Sequence, residues 1–111
     1  MEVIRHEAIE NDLRNLKKFA APRESLEAWE RLFCSKGLLE TPAIDPYPGF
    51  GQAKIYKARV VPLHENVGKS KGYRIVLEAV DQGLCKILVF SRHGIYKEEQ
   101  ELIDWVSERL K

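Results

Sequence analysis

The apolar periodicities predict an α+β domain ordered (β)ααβββα, with its helices packed on one face of a curved antiparallel sheet. Three observations carry that reading. Apolar residues recur at helical spacing up to about residue 37, alternate with polar ones over Ala53 to Val61 ahead of two further strand-like runs, and return to helical spacing at the C-terminal end. A stretch dense in proline and glycine, Thr41 to Gly51, separates the first two regimes. The 111 residues suit one core, and no repeat or linker divides them, so the reading is a single domain over 1–111.

Taken in order, Val3 and Ile4 permit a short opening strand. From Glu7, the residues Ile9, Leu13, Leu16 and Ala20 fall on one helical face, with Asp12, Arg14 and Lys18 turned away. Pro22 suits the first turn of a second helix, whose stripe is Leu26, Trp29, Leu32 and Phe33 and whose stop is Gly37. After the Pro/Gly loop, Ala53 to Val61 alternates, with Tyr56, Ala58 and Val60 on one face and Ile55, Lys57 and Arg59 on the other. A polar loop, Pro62 to Ser70, leads to a strand over Lys71 to Val80. Asp81-Gln82-Gly83 then turns the chain into Leu84 to Ser91, an antiparallel hairpin. Leu102, Trp105, Val106 and Leu110 mark a closing helix from about Lys97.

Composition excludes several classes. Charged residues make up 32% of the chain and hydrophobic ones 44%, a globular mixture. The charge-studded start, Met1 to Asp12, reads as no signal peptide, and the longest apolar run, Ile87 to Phe90, is too short to span a bilayer. Cys34 and Cys85 lie far apart without a CxxC, so neither a disulfide framework nor a zinc site is expected. The expected location is the cytoplasm, without membrane contact.

The net charge of +1 hides an uneven distribution. Between Gly51 and Arg74 stand Lys54, Lys57, Arg59, Lys69, Lys71 and Arg74 against one acid, Glu65, while the closing helix is acidic on balance. Ordinary solvated strand charge is the competing reading. Burial of the sheet's other face, however, concentrates these cations on one surface, with Tyr56 and Tyr73 interleaved. That pattern favours a polyanion partner. Gly68-Lys69-Ser70 mimics the end of a phosphate-binding loop, but Leu63 replaces the required first glycine and a strand follows, so nucleotide hydrolysis is rejected.

Ile55-Tyr56-Lys57-Ala58-Arg59-Val60, followed by Gly68-Lys69-Ser70-Lys71-Gly72-Tyr73-Arg74-Ile75-Val76, resembles the toxins of RelE/ParE-type toxin–antitoxin systems. Pro48-Gly49-Phe50-Gly51 and Leu88-Val89-Phe90-Ser91-Arg92 fall where that family has its turn and fourth strand. The resemblance covers nearly the whole chain, although Lys71 replaces a usual glycine and Leu77 a frequent tyrosine. Resemblance to the RelE branch implies a RelE-like fold and a ribosome-dependent mRNA endoribonuclease, neutralised by a cognate antitoxin. By position it makes Lys57, Arg59, Arg74 and Arg92 catalytic candidates. Lys54, Lys69, Lys71 and Tyr73 join them as candidate RNA contacts. The alternatives are a ParE-like gyrase inhibitor without enzymatic activity and a nucleic-acid-binding relative without turnover.

The chemistry makes independent sense of these residue types. When a 2′-hydroxyl attacks its own phosphate, the reaction needs a base, an acid for the leaving oxygen, and cations around the added negative charge. Arginine suits the last role because its planar fork binds two phosphate oxygens. Lys57 among other cations is the candidate base, and His93 or Tyr96 the candidate acid. His6 and His64 read as structural or solvent-exposed. With no Asp/Glu cluster, neither a metal nor a cofactor is expected. Lys57, Arg59 and Arg74 are expected on one side of the sheet, within reach of a single phosphate.

Overall fold

The computed structural model describes residues 1–65 and 71–111; Lys69 and the Gly68-Lys69-Ser70 segment lie outside the described residues. Along the chain run β1 (Glu2–Arg5), α1 (Ile9–Asn15), α2 (Pro22–Glu40), β2 (Ile44–Pro46), β3 (Ile55–Val60), β4 (Tyr73–Asp81), β5 (Leu84–Arg92) and α3 (Glu99–Arg109). They form a compact α+β fold, a five-stranded mixed sheet in the order β1-β5-β4-β3-β2 with three helices among the described residues. No helix among those residues is long and apolar enough to cross a membrane.

Alternation builds the sheet as expected through β3 and β4, which pair antiparallel with Arg59 opposite Arg74 and Lys57 opposite Val76. Two features differ from the expected antiparallel sheet. β1 joins β5 in parallel, so the sheet is mixed, and β2 adds an edge strand within the Pro/Gly loop. An edge is where a strand containing Pro46 can pair, since only one side of it has a neighbour.

The expectation of helices on a single face is corrected. α1 and α2 bury Ile9, Leu13, Leu26, Trp29 and Phe33 against Ala58, Val60, Ile75, Leu77, Ile87 and Phe90. α3 instead buries Leu102 and Val106 with Ile55, Val76, Leu88, Val89 and Tyr96, on the opposite face. A β-bulge makes both cores possible. Val76 pairs with Val89 but Leu77 with Ile87, leaving Leu88 as the extra residue. Ile87 and Phe90 therefore face α1 and α2, while Leu88 and Val89 face α3.

Asp12 ties the layers together. It is 5% exposed, and its carboxylate accepts the Phe90 N–H at 3.0 Å beyond the point where β1 stops pairing with β5. The same carboxylate takes both Nη atoms of Arg109, at 2.6 and 2.9 Å, and Arg109 also donates to the Leu88 carbonyl. The last turn of α3 is thus fastened to α1 and β5 by one largely buried ion pair.

Candidate functional site

At the other end of α3 the second face of the sheet is open. There a cleft of about 410 Å³ is lined by Asp45, Tyr47, Lys57, Arg59, Arg74 and His93, together with Pro46. Strand geometry explains the grouping. Lys57 and Arg59 are two residues apart on β3, Arg74 is the cross-strand neighbour of Arg59, and His93 follows β5 directly. Two arginines directly opposite each other repel, an arrangement that an anion between them would relieve.

The cleft residues differ in how they are held. Arg74 is 6% exposed, and one of its Nη atoms donates to the carbonyls of Gly72 and Tyr73. Burial, with a smaller push from Arg59, lowers its pKa from the ordinary arginine value. Gly72 fits here because a Cβ would stand 2.0 Å from the Val60 carbonyl oxygen, so only glycine lets β4 leave β3 at this point. Arg59 is exposed, and no hydrogen bond or ion pair from its side chain occurs among the described residues.

Lys57 donates to Glu99 at 2.7 Å, and its ammonium lies 5.0 Å from the centre of the Tyr47 ring. The Tyr47 hydroxyl donates to the same Glu99 oxygen. Burial pushes the Glu99 carboxyl up, but the hydrogen bonds and charge of Lys57 with the Tyr47 hydrogen bond outweigh it and hold the group below its usual value. Burial and this carboxylate push the Tyr47 phenol far above its ordinary range. Glu99 and Tyr47 were not expected in the site. Glu99 is 42 residues from Lys57, and Tyr47 sits between two prolines in a segment read only as a loop.

His93 is exposed at a turn made by Gly94, whose φ of 102° favours glycine. Its Nε2 lies 3.4 Å from the Tyr96 hydroxyl, with the rings 4.8 Å apart. Tyr96 is fully buried; burial pushes its phenol up to about 12, with Arg74 pulling down and Glu99 pushing up.

The remaining expected residues lie elsewhere. Arg92 pairs across the sheet with Tyr73, on the α1/α2 face, and grips Glu65 with both Nη atoms at 2.7 and 2.8 Å. Its guanidinium also lies 4.3 Å from the centre of the Phe19 ring, a packing role rather than a place in the cleft. Tyr73 is fully buried against Phe90, so no base can stack on it. Lys54 is exposed on a separate groove beside Tyr56 and Glu78, and Lys71 is exposed ahead of β4. Among the described residues no cluster of His, Cys, Asp and Glu is arranged to hold a metal ion. No protein-family model, no curated protein and no solved structure matches the chain.

Proposed function

We propose that the chain is a RelE-like toxin whose basic cleft binds single-stranded RNA and cleaves it, acting on mRNA at the ribosome. The observation that supports this most is the convergence of Lys57, Arg59, Arg74 and His93 on one open cleft, with Arg59 and Arg74 directly opposed. In this reading Arg59 and Arg74 hold the non-bridging oxygens of the scissile phosphate. Lys57, expected as a base, is engaged with Glu99 and is better assigned to phosphate binding. Proton transfer falls to His93, the one histidine that lines the cleft among the described residues.

The 2′-oxygen forms a new bond to phosphorus as its proton leaves, and the bond to the 5′-oxygen breaks as that oxygen gains a proton. A 2′,3′-cyclic phosphate and a 5′-hydroxyl are the products. A binding module without turnover is the second reading. It is favoured by His93 being the one imidazole among the cleft-lining residues, where the reaction needs both a base and an acid.

Induced expression with mapping of mRNA 5′ ends tests the proposal. New ends in phase with the reading frame, together with arrested growth, are expected. An undisturbed transcript population at high protein levels would overturn it. A cognate antitoxin belongs to the same proposal, and co-expression of such a partner should restore growth.

A further inference from the structure

The cleft already holds an anion of its own. Glu99 opens α3, and its carboxylate receives the Lys57 ammonium at 2.7 Å and the Tyr47 hydroxyl, with that ammonium set over the Tyr47 ring. A cation and a hydroxyl converging on one carboxylate oxygen is the arrangement that would meet a phosphate oxygen. We propose that Glu99 fills, with its own carboxylate, an anion subsite formed by Lys57 and Tyr47, and that a phosphate of the bound strand displaces it. This rests on the reading of the cleft as an RNA site and adds a second phosphate position beside Arg59 and Arg74.

Three observations make displacement physically reasonable. The Glu99 side chain is 45% exposed and that of Lys57 22%, so the pair is a partly solvated ion pair of small net worth that salt weakens. Once displaced, Glu99 stays favourably placed, because a carboxylate in the first turn of α3 interacts well with the helix dipole. The hold on α3 is also independent of this contact, since Leu102 and Val106 are fully buried and Arg109 is fastened to Asp12. Asp45 stands cross-strand from Lys57 and lines the same cleft, but it forms no ion pair among the described residues. It therefore serves as a control for charge removal alone.

The test is the affinity of a 2′-O-methyl oligoribonucleotide, which cannot be cleaved, measured across a salt series. Glu99→Gln keeps an acceptor for Tyr47 but loses the charge. It should bind roughly fivefold more tightly than the natural protein at low salt, with a salt slope steeper by about 0.7, because the phosphate at Lys57 no longer frees a carboxylate that takes a counterion back up. Asp45→Asn should gain less, and Lys57→Ala with Glu99→Gln should bind no better than Lys57→Ala alone. An unchanged thermal melt of Glu99→Gln confirms that α3 stays docked.

If Glu99→Gln binds no more tightly while Arg59→Ala weakens binding, the RNA reading stands and the displacement is wrong. If no variant binds the oligonucleotide but Glu99→Gln binds inorganic tripolyphosphate more tightly than the natural protein, the displacement stands and the RNA reading is wrong. If Glu99→Gln gains affinity for neither probe, the displacement is overturned.

Discussion

Replacing Asp12 by alanine should cost the fold about 3 kcal/mol, far more than an average substitution. Two losses contribute. The Phe90 N–H, held by Asp12 where β1 no longer reaches, becomes a buried donor without an acceptor, worth about 1–3 kcal/mol. Arg109 loses both of its bonds to the carboxylate and keeps the Leu88 carbonyl. Breaking a fully buried pair costs about 3–5 kcal/mol, but the Arg109 side chain is 14% exposed and can turn partly toward water, which puts the combined cost at the lower end.

Urea unfolding followed by the fluorescence of Trp29 and Trp105 measures this, and the melting temperature should fall by roughly 12–20 °C. A double-mutant cycle with Arg109→Ala should show coupling of about 1 kcal/mol or more. A loss below about 1 kcal/mol for Asp12→Ala would refute the claim that one carboxylate fastens α1, β5 and α3.

Other consequences follow from the same geometry. Gly72→Ala should destabilise by about 1–3 kcal/mol in chemical unfolding, because its Cβ would sit 2.0 Å from a backbone oxygen that cannot yield. The Arg92 hydrogen bond holds the Glu65 carboxyl below its ordinary 4.5, and burial opposes this more weakly. Its stabilising contribution is therefore complete above pH 4.5 and is lost as pH falls through the lower folded value, so Glu65→Gln should flatten the acid limb of a stability–pH curve. Arg92→Met should lower the melting temperature yet leave RNA affinity unchanged, since Arg92 lies on the α1/α2 face.

The parts of the fold legible in the sequence are those set by local periodicity. The two-residue repeat of β3 and β4 suffices to place Lys57, Arg59 and Arg74 on one face. The same rule, applied to Tyr73, separates it from Arg74 and sends it into the core. Arg92 was not legible, because the bulge at Leu88 shifts the parity of β5 and no residue type announces it. β2 is three residues long and owes its strand geometry to pairing with β3 rather than to its own composition. Helical spacing in α3 identifies Leu102 and Val106 as its buried stripe, but not which face of the sheet receives them. Hence the sequence could not bring Glu99 to Lys57.

If the opposed arginines of this cleft stabilise the transition state of RNA cleavage, as proposed, single-turnover cleavage of mRNA on programmed ribosomes will register their loss. Arg59→Ala, an exposed change that leaves the core intact, and Arg74→Lys, which keeps the charge but not the fork, should each slow cleavage by roughly 10²-fold or more. Ribosome association should fall much less, and the products should carry a 2′,3′-cyclic phosphate. Rates that merely track the charge removed, or products ending in a 3′-hydroxyl, would contradict the account.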